Sequence, residues 1–191
     1  MSESSMTFRV GTRASKLALV QTRAVLEQLR GSFPSFAFEE VRLSTPGDRD
    51  RTTSLRDSPP DFFTRDLDEA VLSGSLDCAV HSAKDLPDPV SPGLDWFWLP
   101  WHEDRRDALV LPRGTTAADI PAKPRIGVSS ERRERYAAER FPGAVLPPIR
   151  GNIGERIAQL DNGAFDAVII AGAALLRLAL EERIAVWIPL K

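Results

Sequence analysis

Short apolar runs bounded by glycine, proline or small polar residues alternate with helical patterns along almost the whole chain, and this alternation limits the fold more than any other feature. Residues 8–12 read as a strand, and Ser15 as the N-cap of a helix carrying Ala18, Leu19, Val25, Leu26 and Leu29 on one face and ending at Gly31. A second strand is expected over 36–43. A breaker-rich loop then runs over 44–61, where Arg56-Asp57-Ser58-Pro59-Pro60-Asp61 reads as stiff and acidic. Thr64 caps a further helix that ends at Gly74, and a strand follows at 76–80. Residues 94–99 read as a buried strand with one aromatic edge, Trp96-Phe97-Trp98.

After the charged crossover at residues 101–107 the pattern restarts. Strands are expected at 108–111, 125–128, near 144–146 and at 165–170. Helices are expected after Thr116, from Ser129-Ser130 to Arg140, over 152–160 and over 173–180. Strands alternating with helices at this spacing imply an α/β protein of two lobes, 1–101 and 102–191, with largely parallel sheets and an interlobe cleft. A length of 191 residues, 42% of them hydrophobic and 27% charged, suits two such cores and excludes disorder and fibrous classes.

The longest apolar run, 167–176, is far short of the ~20 residues a membrane span needs. The first residues carry no basic and apolar leader pattern, and Cys78 is the one cysteine, so a cytoplasmic location is expected. A net charge of −2 without a basic block argues against nucleic acid and membrane surfaces as partners. All the basic residues but Lys16, Lys84, Lys123 and Lys191 are arginines, whose planar fork suits carboxylates.

In open α/β sheets, ligands gather at the carboxyl ends of strands. Those ends carry Arg13 and Ser15; His81, Ser82, Lys84 and Asp85; Ser129, Ser130, Arg132 and Arg133; and Arg150, Asn152 and Arg156. Cations and hydroxyls beside helix N-termini form a receptor for an anion with several carboxylates or phosphates. Asp85 stands among them either as an ion-pair partner or as a group that stabilises positive charge or moves a proton. His81 reads as a structural histidine. No metal-ligand spacing is present, and the turn at 151–154 lacks the rest of a nucleotide fingerprint.

The stretches RVGTRASKLALVQT, FFTRDLDEAVLSGSLDCAVHSAKDLP, HEDRRDALV, IGVSSERRERYAAER and PIRGNIGERIAQLDNGAFDAVIIAGAALLRL resemble the porphobilinogen deaminase, or hydroxymethylbilane synthase, family in order and spacing. The resemblance implies a tetrapyrrole-pathway transferase that joins four porphobilinogens with loss of ammonia, and lobes like those of type II periplasmic binding proteins. It makes Asp85 the catalytic carboxylate. Arg13, Ser15, Lys84, Ser129, Ser130, Arg132, Arg133, Arg150, Asn152 and Arg156 would hold acetate and propionate groups, Phe63 would pack near the reacting pyrrole, and Gln21 would lie near the cleft.

The family's dipyrromethane cofactor hangs from a cysteine of a third domain, to which nothing here corresponds, and Cys78 is not its equivalent. Val128, Glu131 and Lys16 also depart from the family pattern. The resemblance therefore leads to the expectation of an enzyme incomplete on its own, with porphobilinogen or a linear oligopyrrole as ligand and a partner chain as a source of the missing domain. The alternative is a two-lobed binding module without turnover.

Overall fold

The computed structural model describes residues 6–50 and 58–190, which divide into two compact units meeting in the chain at Trp98 and Leu99. In the first unit, β1 (Thr7–Arg13) leads into α1 (Lys16–Ser32), followed by β2 (Ala37–Leu43), the short helix α2 (Pro46–Arg49), α3 (Arg65–Leu72) and β3 (Cys78–Ala79). The three strands form one parallel sheet in the order β2-β1-β3. Ser15 caps α1 by accepting from the Ala18 N–H at 3.3 Å, but the helix runs through Gly31 to Ser32 before Phe33 closes it on the Leu29 carbonyl. A single glycine lowers helix propensity by only about 1 kcal/mol and does not stop a helix already packed on its sheet.

Apolar packing sets the site's foundation here. Val10, Leu26, Leu67 and Leu76 are almost fully buried, each contributing about 1.5–3 kcal/mol. Gly11 lets Leu76 and Leu67 lie against β1, because a Cβ there would come within 2.4 and 2.8 Å of their methyl groups.

The second unit contains β4 (Asp107–Val110), β5 (Ile126–Gly127), α4 (Glu131–Arg140), α5 (Ile153–Asp161), β6 (Ala167–Ala171), α6 (Gly172–Arg177) and β7 (Ile184–Ile188). Its sheet has the order β5-β6-β4-β7, and only β5 and β6 run parallel; β4 is antiparallel to both neighbours. The expectation of largely parallel sheets thus holds for the first unit and is corrected to a mixed sheet for the second. β4 runs opposite to β5, β6 and β7, and β7 is a strand the periodicity did not mark. Ala179, at φ 52°, stops the chain after α6, and residues 184–188 turn back as an edge strand against β4. Leu109, Ile126, Val128, Ala137, Ile169 and Ile188 form the core between this sheet and α4.

Two other expected strands are corrected. Residues 144–148 make only isolated bridges, Arg125 with Val145 and Val128 with Pro148, because Pro147 and Pro148 bring no N–H to a ladder. Residues 94–99 form no strand. Among the described residues nothing pairs with them, and their aromatic rings lie outside the core, Phe97 being 87% exposed. The 44–61 loop contains α2, and the part of it from Arg51 to Asp57 lies outside the described residues.

Candidate functional site

Each unit assembles one cluster of charged groups at strand ends. In the first, Arg13 is the last residue of β1, and its Nε donates to both carboxylate oxygens of Asp48 at 3.1 Å, with a second contact from its terminal nitrogen to the same carboxylate. Asp48 belongs to α2. The Thr45 N–H and hydroxyl also donate to it, at 3.1 and 2.9 Å, closing a capping box. Burial raises the Asp48 pKa, yet the bonds and charge of Arg13 and the two Thr45 donors outweigh it, so the carboxyl lies below its usual range.

The other side of Arg13 is looser. Its second terminal nitrogen stands 3.7 Å from Asp85, which is also 4.0 Å from Lys84 Nζ. The Arg13 guanidinium lies over the Phe63 ring, 4.3 Å from its centroid.

A tight turn, residues 83–85, presents Asp85, and α1 anchors the segment before it. Gln21 Nε2 donates to the His81 carbonyl at 3.0 Å and Ser82 Oγ donates to Gln21 Oε1 at 2.8 Å. Gln21 therefore spends both ends of its amide on the approach to Asp85. Burial pushes the His81 pKa down against the pull of Asp68 and Asp85, so the ring is neutral near pH 7. Ser15 is occupied as the α1 cap.

In the second unit the Ser129 hydroxyl, between β5 and α4, accepts from Arg133 at 2.9 Å and from Arg156 at 3.0 Å. Arg133 is buried and also donates to Asp107 Oδ1 at 3.0 Å, while Arg132 pairs with Asp107 Oδ2 at 2.7 Å. Asp107 opens the central strand β4 and is held between Ala171 and Ile188. Arg156, in α5, donates through Nε to the Gly151 carbonyl at 2.8 Å. Gly151 has φ 101°, and a Cβ there would also come within 2.7 Å of the Glu155 carboxylate.

Burial, reinforced by the charges of Arg133 and Arg150, pushes the Arg156 pKa down to about 10. Arg133, Arg150 and Arg156 thus lie close enough for their charges to act on one another, and Asp107 is shared by Arg132 and Arg133. Asn152 and Glu155 exchange reciprocal bonds of 3.0 and 2.8 Å as a capping box for α5, which commits the Asn152 side chain to the helix start. Ser130 occupies the N-cap position of α4 without a side-chain cap bond.

Asp48 and Asp107 contact the candidate residues, and Thr45 contacts Asp48, yet the sequence did not single out any of the three. The Thr45-x-x-Asp48 capping-box spacing was a readable signal for α2. Nothing in the pattern pointed to Asp107 as a partner of two arginines 25 and 26 positions on. Among the described residues no group of His, Cys, Asp and Glu could hold a metal ion, and no helix is long and apolar enough to cross a membrane.

A family model described as "Porphobilinogen deaminase, dipyromethane cofactor binding domain" matches residues 8–191. The chain is 41% identical over 175 residues to the porphobilinogen deaminase of Sorangium cellulosum, covering 91% of this chain and 58% of that protein. To the porphobilinogen deaminase of Syntrophotalea carbinolica it is 39% identical over 186 residues, covering 97% of this chain and 59% of that protein. The chain thus spans about three fifths of the length of these relatives. Among solved structures, the Bordetella pertussis BvgS VFT2 domain matches with a TM-score of 0.50 at 16% identity, over 96% of this chain and 76% of that one. This is a likeness of fold, the two-lobed α/β fold of type II periplasmic binding proteins.

Proposed function

Since the chain belongs to the porphobilinogen deaminase family, we propose that its two units do the pyrrole-handling work of a hydroxymethylbilane synthase: they hold the carboxylate side chains of porphobilinogen and of the growing oligopyrrole while ammonia is lost. The observation that carries this reading is the meeting of Arg133 and Arg156 on the Ser129 hydroxyl, at 2.9 and 3.0 Å, where a bound anion would offset the burial of Arg156 and the nearby charges of Arg133 and Arg150. Acetate and propionate groups are such anions, and guanidinium forks bind them with two parallel bonds. Arg132, whose side chain is 65% exposed, contributes the remaining donors of its fork from the solvent side of Asp107.

In the first unit, departure of ammonia from porphobilinogen leaves an azafulvenium cation, and the Asp85 carboxylate supplies the opposing charge. Its contacts to Arg13 and Lys84 are long, at 3.7 and 4.0 Å, so its negative charge is only loosely offset before a substrate cation forms. The turn that holds Asp85 is fixed through Gln21, so little reorganisation accompanies the step. Phe63 offers an aromatic face beside this carboxylate's arginine neighbour.

The dipyrromethane named for the family supplies the pyrrole end on which growth starts. The arginine cluster of the second unit fits its carboxylates. Cys78 is a poor fit for its covalent attachment: although the residue is exposed in β3, partial desolvation of its thiol and the adjacent Asp77 both push its pKa up, away from the reactive thiolate. We assign the attachment to a part of the enzyme beyond these 191 residues, carried by the same or a partner chain.

Calorimetry with porphobilinogen tests the reading. Binding should weaken as salt rises, and Arg156→Ala and Arg150→Ala should each lose about 1.5–3 kcal/mol, the worth of a charged hydrogen bond. Wild-type affinity retained in both variants would remove the arginine cluster from the site.

A further inference from the structure

Helix α2 has one turn, and its second residue is Gly47. Its backbone conformation is open to any residue, so no local rule demands glycine. The requirement comes from outside the helix. A Cβ on Gly47 would lie 2.2 and 2.3 Å from two carbons of the Phe63 ring, distances at which something must shift, and a tight 3.0 Å from the Phe62 ring. The Phe63 ring thus lies directly on the α2 backbone, which the Gly47 N–H ties to the Phe62 carbonyl at 2.8 Å. Phe63 also carries the Arg13 guanidinium at 4.3 Å. The next residue of α2, Asp48, holds that guanidinium through its Nε at 3.1 Å. One helical turn therefore sets both members of the pair, the ring by a missing side chain and the cation by a carboxylate.

We infer that Gly47 is a positioning residue, acting through Phe63 to set where the aromatic face and the Arg13 fork are presented to a pyrrole carboxylate ligand; its ligand arm rests on the proposed function of the first unit. Any side chain at 47 must displace the ring or lift α2, and either movement shifts Arg13 relative to Asp48 and Asp85.

Two measurements on the full 191-residue chain test this. By nuclear magnetic resonance, the Arg13 Nε–H signal should carry the upfield shift of a cation over a ring face. Gly47→Ala should move it toward its position in Phe63→Ala. By calorimetry, Gly47→Ala should weaken porphobilinogen binding roughly 3- to 30-fold, the range a desolvated cation–ring contact commands. That loss should vanish when Gly47→Ala is added to Phe63→Ala, because the clash partner is gone. A destabilising change elsewhere in the fold would not disappear in that background.

An Arg13 signal unmoved by Gly47→Ala, or an equal affinity loss in both backgrounds, would overturn the inference. Should Gly47→Ala alone fail to fold, the double variant must fold and show the Phe63→Ala signal, and its failure overturns the inference as well. If the wild-type chain binds no porphobilinogen, the functional reading fails while the Arg13 signal still decides the role of Gly47.

Discussion

At the scale of single residues, the two carboxylates around Arg13 divide the work by geometry. Asp48 is bound closely by Arg13 and Thr45 and serves structure, whereas Asp85 is held by its turn and touched only at long range. A charge that matters only as ammonia departs should show in turnover and not in ground-state binding. In enzyme that turns over, Asp85→Asn should therefore lower the rate by about 10²–10³ and leave porphobilinogen affinity nearly unchanged. His81→Ala should cost far less, since the ring is half-buried and desolvation keeps it neutral. Kinetics and calorimetry on both variants check this; lost affinity with intact turnover in Asp85→Asn would make Asp85 a structural ion-pair partner.

At the scale of elements, α2 has four residues and cannot persist by helix propensity alone. Its capping box and the Arg13–Asp48 pair hold it, and both depend on an ionised Asp48. Because the folded pKa of Asp48 is depressed, its contribution is fully present above the unfolded carboxylate pKa of about 3.9 and is lost as pH falls through the lower folded value. Asp48→Asn should cost about 1.5–3 kcal/mol at pH 7, an amount that stays level to about pH 5 and shrinks in stronger acid. Urea unfolding of both proteins across that range measures it, and a pH-independent difference would mean that the carboxylate's charge plays no part. In the other unit, α5 starts on the Asn152 capping box while Gly151 turns its carbonyl toward Arg156, so one helix start serves both fold and cluster.

At the scale of the molecule, each unit builds its own core and its own charged cluster, with the Arg13 group on a parallel sheet and the Ser129 group beside a mixed one. The chain's one cysteine is Cys78, in β3, so an intact-mass measurement of the purified chain should match the unmodified sequence. An excess of one dipyrromethane, mapped to Cys78, would show that the attachment resides in these residues after all.

Local chemistry alone determined much of this. The amphipathic face of α1 and its Ser15 cap were legible because a cap needs only residues three positions apart, and the helix starts at α3, α4 and α5 follow from equally local signals. The arginines and serines of the candidate site were legible as polar residues at strand ends. What lay beyond reach depended on partners distant in the chain. The direction of β4 shows only in its antiparallel pairing with β6 and β7, some sixty and eighty residues on; the exposure of Trp96-Phe97-Trp98 reflects the lack of a pairing strand among the described residues, since aromatic and β-branched composition reports only fitness for a sheet. Likewise Asp107 reaches two arginines of α4, and Gly47 is required by a ring sixteen positions away. Contacts of that separation form only when packing brings the elements together, so tertiary structure alone decided which carboxylates pair with which cations.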